Sequence, residues 1–128
     1  DAVLLAEVYN PDSYRAYIHK GKMDYLYDKV ELYDSLKHII KGYGWTDHIP
    51  VVQKGMQDIE HHMLHFLENH DEQRIASPEF AGNAELAKPA MVVSATLSTI
   101  NVGSTTSRLM GGNYQMKKSN LEISINGY

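Results

Sequence analysis

Ala2-Val3-Leu4-Leu5-Ala6-Glu7-Val8-Tyr9 decides the fold class. All but one of these residues are apolar or aromatic, and the run stops at Asn10-Pro11. That is the pattern of a β-strand covered on both faces, as in a parallel sheet. The exception, Glu7, puts a lone carboxylate near the strand's C-terminal end. Asp12 and Ser13 then supply helix-start chemistry, Tyr14, Tyr17 and Ile18 recur at helical spacing, and Gly21 provides a stop. The stretch reads strand, turn, helix.

Two further cycles follow. Met23-Asp24-Tyr25-Leu26-Tyr27-Asp28 reads as a short strand, and Leu32, Leu36, Ile39 and Ile40 give the next helix its apolar stripe before Gly42. Gly42 to Asp47 reads as a loop, Val51 to Ile59 as a third helix, and His62-Met63-Leu64-His65-Phe66-Leu67-Glu68 as a strand ending at Asn69-His70-Asp71. Ala84 to Thr99 reads as an Ala-rich helix, in which Pro89 is tolerable only in the first turn or at a kink. Strands at about residues 2–9, 23–28 and 62–68, alternating with helices, predict three βα units on a parallel sheet. Beyond Thr99 the character changes: residues 101–128 are expected to be a different kind of segment from residues 1–100. Asn101 to Gly112 is rich in Ser, Thr and Gly, and only Leu121-Glu122-Ile123-Ser124-Ile125 alternates like a half-exposed strand.

The chain has 128 residues, enough for one domain, and its 43% hydrophobic and 22% charged content is that of an ordinary globular protein. A formal net charge of -4 with scattered Lys and Arg argues against nucleic acid and anionic membrane surfaces as partners. The apolar runs are far shorter than a membrane span. With no cysteine, disulfides and thiolate metal sites are excluded, and nothing points to a particular compartment. The opening Asp-Ala-Val-Leu-Leu has the character of a strand interior, so sequence upstream of Asp1 is expected.

Glu7 and Asp71 fall at the C-terminal ends of two separate expected strands, the edge where parallel α/β sheets and barrels bind ligands. Two carboxyl groups in one cleft suit glycoside hydrolysis, which needs a proton donor for the leaving oxygen and a carboxylate against the developing positive charge. The surroundings narrow this. Leu4-Leu5-Ala6-Glu7-Val8-Tyr9 resembles the general-acid strand of the α-amylase family of glycoside hydrolases, and Phe66-Leu67-Glu68-Asn69-His70-Asp71 resembles its Asn-His-Asp strand. The two motifs stand in the family's order, and the resemblance spans roughly residues 2 to 99. It implies an α/β chain forming part of a (β/α)8 (TIM) barrel that acts on α-glucosidic bonds of starch-like glucans with retention. In it Glu7 would be the general acid/base, Asp71 the transition-state stabiliser, His70 and Tyr9 substrate-binding residues, and Asn69 a loop-holding residue. No cofactor and no metal are expected.

Some of the family's pattern is absent. Its nucleophilic Asp lies on an earlier strand in an Arg-x-Asp setting, which no residue before Glu7 supplies, and after the last helix the chain turns instead to Ile100-Asn101-Val102-Gly103-Ser104. An eight-stranded barrel takes about 250 residues. At most half a barrel is therefore expected, inactive alone, and prone to form a homo-oligomer or bind a complementary barrel fragment. The alternative is a non-catalytic oligomerising or carbohydrate-binding module. His61, His62 and His65 beside Glu60 lack the His-Glu-x-x-His order of zinc helices and would alternate faces on a strand. Tyr14, Tyr17, Tyr25, Tyr27 and Tyr33 could stack on sugar rings, although most such residues are packing residues.

Overall fold

A computed structural model of the chain describes residues 2–97 and the backbone of two further strands, 114–118 and 121–125. Three short strands, β1 (Leu5–Ala6), β2 (Tyr25–Tyr27) and β3 (Met63–Leu64), form a parallel sheet in the order β1-β2-β3. The register pairs Leu5 with Tyr25, Ala6 with Leu26, Leu26 with Met63, and Tyr27 with Leu64. Helix α1 (Tyr14–His19) crosses from β1 to β2, helices α2 (Asp34–Ile40) and α3 (His48–Met56) cross from β2 to β3, and α4 (Ala84–Thr96) follows. The chain is thus α/β. Among the described residues the sheet has three strands and does not close, with β1 and β3 at its edges.

Local chemistry explains each helix start. The Asn10 side chain accepts from the Asp12 amide at 3.1 Å and caps a 3-10 turn, Pro11–Ser13, that runs into α1. Pro11 costs nothing there, because first-turn amides have no intrahelical acceptor. Gly21 ends the unit at a close approach: a Cβ at this position would lie 2.6 Å from the Tyr17 carbonyl oxygen. Asp28 accepts from the Leu32 amide at 2.9 Å, capping a wide π turn, Lys29–Tyr33, that leads into α2. Helix α3 starts at His48, three residues ahead of the expected Val51, because Pro50 lies within its first turn.

Of the two placements expected for Pro89, first turn or kink, the first is not the one found. Pro89 is the sixth residue of α4, beyond the first turn. Its missing N–H would have met the Glu85 carbonyl, and both residues are exposed, so water can solvate the freed acceptor. The strands are also shorter than their apolar runs. The Asp28 amide donates to the Leu64 carbonyl at 3.1 Å, and Asp28 then turns away as a cap, so the chain from His65 onward has no neighbouring strand to pair with.

Packing holds what the ladder does not. Ala6, Leu26 and Met63 share one sheet face and pack with Tyr14 and Ile18 of α1 and with Met56 and Ile59. A second cluster sets Tyr33, Phe66 and Phe80 against Leu36 and against Ala87 and Ala90 of α4. In it Tyr33 stacks on Phe66 with ring centroids 5.0 Å apart, and Phe80 meets Tyr33 edge-on at 5.8 Å. Phe66 also meets Tyr27 edge-on at 5.2 Å, which fixes residues 65–68 to the end of β2.

The strand expected at 121–125 forms as β5 (Leu121–Ile125), paired antiparallel with an unexpected β4 (Tyr114–Lys118). Tyr114, Gln115, Met116 and Lys117 alternate apolar and polar over only four residues before Lys118 breaks the pattern, too short a run to stand out. Ser98 and Thr99, at the end of the expected last helix, and the Asn101 to Gly112 segment lie outside the described residues.

Candidate active site

Because β1 and β3 run parallel, the residues that follow them leave the sheet at the same edge. Glu7 comes directly after β1. His70 and Asp71 come not at a strand end, as the sequence led us to expect, but in a loop beyond β3. The loop nevertheless returns them to Glu7. Each of Glu7, His70 and Asp71 offers one oxygen or nitrogen atom, and those three atoms lie within 4.8 Å of one another. All three residues are exposed. The fourth candidate joins them: the Tyr9 hydroxyl donates to Glu7 Oε1 at 2.8 Å. That hydrogen bond, together with slight desolvation and the negative charges of Glu7 and Asp71, holds the Tyr9 phenol above its ordinary pKa.

The loop is built to carry this pair. Asn69 Oδ1 accepts from the amides of Asp71 at 2.9 Å and Glu72 at 2.8 Å, an Asx turn that sets the direction of His70 and Asp71. Glu68 is buried, and its carboxylate accepts from the Ile75 amide at 2.9 Å and from Arg74 at 3.0 Å, closing the loop at its base. Glu72 points inward and accepts from the Tyr33 hydroxyl at 2.7 Å, with Lys29 at 3.2 Å and Lys37 at 3.6 Å. Burial alone would raise the Glu72 carboxyl. The Tyr33 hydroxyl and the two lysines outweigh it and hold the group below the usual carboxylate range. His70 Nε2 lies 3.4 Å from Asp71 Oδ2.

Glu68, Glu72, Lys29 and Arg74 carry no local sequence signal for this work. The partners of Glu72 come from the β2–α2 segment, and no short-range pattern links them to it. The expectation for Asn69 holds. Among the tyrosines, Tyr14 and Tyr33 are fully buried and serve packing, whereas Tyr9 is 59% exposed at the site.

No family model, no curated protein and no solved structure matches this chain.

Glu7, His70 and Asp71 are also the only grouping of three such side chains among the described residues that could hold a metal ion. Two carboxylates and an imidazole are suitable donors for a divalent cation, although at this exposure such an ion would keep much of its water shell. The other histidines form no second group of three ligand side chains among the described residues, although the His61 and His62 rings lie with centroids 4.1 Å apart. His61 and His62 lie on a 3-10 turn, Glu60–His62. His62 Nδ1 faces the Asp24 carbonyl at 2.8 Å, and buried His65 lies 3.3 Å from Asp28.

Proposed function

We propose that this chain is the acid-bearing part of a retaining glycosidase of the α-amylase type, a partial (β/α)8 barrel contributing Glu7, Asp71, His70 and Tyr9 to a cleft for α-glucosidic bonds in starch-like glucans. One observation carries the proposal: two carboxylates, one directly after β1 and one in the loop beyond β3, with oxygens within 4.8 Å of each other and an imidazole in the same group. Carboxyl groups this close can serve one anomeric centre, one as proton donor and the other against the developing positive charge. Glu7 protonates the leaving glycosidic oxygen and later takes a proton from the attacking water. Asp71 offsets the positive charge on the ring. The His70 imidazole donates to ring hydroxyls, and Tyr9, bonded to Glu7 when no sugar is present, offers its face to a pyranose.

A retaining reaction also needs a nucleophile on the opposite side of the anomeric carbon. Among the described residues no further His, Cys, Asp or Glu joins the group. The described residues therefore offer an acid and a stabiliser without an attacking group. A complementary barrel fragment, adding strands along β1 or β3, is the partner that would supply one. A specific observation favours the second reading, binding without catalysis, for the isolated chain: the side chains of His70 and Asp71 are 71% and 58% exposed. That openness leaves the site wet, and electrostatic stabilisation of the transition state weak.

The test pairs catalysis with binding. An aryl α-maltoside with a nitrophenol leaving group is expected to show no turnover above buffer, while maltotriose shifts the His70 imidazole resonances saturably. His70 resonances unmoved by maltotriose would sink the proposal. Turnover that survives Glu7→Gln but vanishes with Asp71→Asn would instead make Asp71 the nucleophile.

A further inference from the structure

Away from Glu7 and Asp71, the end of α2 is built with unusual definition. The Gly42 amide donates to the Ile39 carbonyl at 3.0 Å and the Tyr43 amide to the His38 carbonyl at 2.9 Å, the paired bonds of a Schellman turn. Gly42 provides the left-handed φ of 83° that this turn requires. The Gly44 amide also donates to the His38 carbonyl, at 3.0 Å, and a Cβ on Gly44 would lie 2.9 Å from the Ile39 nitrogen. Only glycine permits so close an approach. On the far side the Trp45 carbonyl accepts from the His48 amide at 3.0 Å, which starts α3. The backbone of Trp45 is thus tied on both sides.

Its side chain, however, is 82% exposed. It is the single tryptophan of the chain. The indole borders an open groove of about 430 Å³ whose lining includes Asp34, His38 and His48 as polar groups and Val30 and Ile39 as apolar ones. This groove shares no residue with the Glu7, His70 and Asp71 group. A large aromatic kept in water on a rigid turn, beside convergent hydrogen-bonding groups, is the arrangement that saccharides use: the apolar face of a pyranose covers the ring while its hydroxyls reach the polar groups. A cation fits less well, since Asp34, His38 and His48 do not form a ligand group among the described residues. Phosphate-rich ligands would meet the Asp34 carboxylate and a chain of net charge -4.

We propose that this groove is a second, non-catalytic saccharide site, in which Trp45 stacks on a glucose unit of a short α-glucan and His38 and His48 bond its hydroxyls. The choice of glucan rests on the glycosidase proposal; the existence of a sugar site here does not.

The lone indole makes the test direct. Maltoheptaose is titrated into the full chain while Trp45 emission is followed. Emission is expected to change saturably in about the millimolar range, as suits one stacked ring with a few exposed hydrogen bonds. His38→Ala is expected to weaken the apparent affinity about threefold to tenfold. Glu7→Gln with Asp71→Asn should leave the Trp45 response intact. Retardation of the chain in a native gel containing soluble starch should weaken with Trp45→Ala, a surface change that leaves the core untouched. Flat emission, an equal change with sorbitol, or emission that depends on protein concentration without sugar would overturn the proposal, the last by showing that a second copy covers Trp45. Because the glycosidase proposal is read at His70 and this one at Trp45, either can fail while the other stands.

Discussion

At the scale of single residues, the arrangement of Glu7, His70 and Asp71 depends on side chains outside the group. Glu72 sits beneath the loop that presents His70 and Asp71, with Tyr33, Lys29 and Lys37 around its carboxylate. Its folded pKa is lowered, so the unfolded chain, with a value of about 4.3, binds the proton more readily than the folded one. The stabilisation from this carboxylate is therefore complete above about pH 4.3 and is lost as pH falls through the lower folded value. Glu72→Gln is expected to cost about 1 kcal/mol at neutral pH, with a difference from the parent chain that shrinks on acidification. Urea melts of the two proteins at several pH values check it, and a difference that grows toward low pH would refute the assignment. Residues of this kind were illegible in the sequence, whereas Glu7, His70 and Asp71 were legible as a set. Carboxylates and an imidazole at the ends of apolar runs announce themselves, but a buried acid neutralised by lysines on a distant segment does not. The sequence also left Trp45 unremarked inside a stretch read as loop, since nothing in Gly42 to Asp47 distinguishes an exposed indole from a packed one.

At the scale of elements, two glycines make opposite demands. Gly42 ends α2 in a left-handed conformation, and a Cβ placed there would meet nothing within 4 Å, so replacing it costs backbone energy alone. Gly42→Ala is expected to destabilise by about 1 kcal/mol, and Gly42→Asn by less. Gly55 lies inside α3, also with open space where a Cβ would stand, and Gly55→Ala is expected to stabilise by about 0.5 kcal/mol. Thermal melts of the two alanine variants should move in opposite directions; movement in the same direction would contradict this account of the two helices. The order of strands and helices was legible because apolar runs alternate with helical spacing. Strand length was not, because β-pairing ends where the neighbour ends, and Asp28 leaves the ladder to cap a helix. The place of Pro89 beyond the first turn was illegible for the opposite reason: the acceptor it strands faces water, which no rule about helix position alone reveals.

At the scale of the whole molecule, an open three-stranded sheet leaves β1 and β3 with unpaired outer edges among the described residues. Val3 and Leu4, just ahead of β1, are 42% and 45% exposed. Edges of this kind pair with other chains unless charge or cover prevents it. The average mass in sedimentation equilibrium is therefore expected to rise above that of one chain with increasing concentration. Leu4→Lys should suppress the rise without loss of helical circular dichroism. A chain monomeric at every concentration would count against a role for these edges. No helix among the described residues is long and apolar enough to cross a membrane. The strands at the edges are also the strands that lead to Glu7 and to Asp71. Under the glucan binding proposed at Glu7 and Asp71, any coupling between that binding and edge pairing is reciprocal by thermodynamic necessity. By whatever factor an added strand tightened the proposed hold on a glucan, the glucan would tighten the hold on that strand, so such a ligand would itself act as an assembly factor.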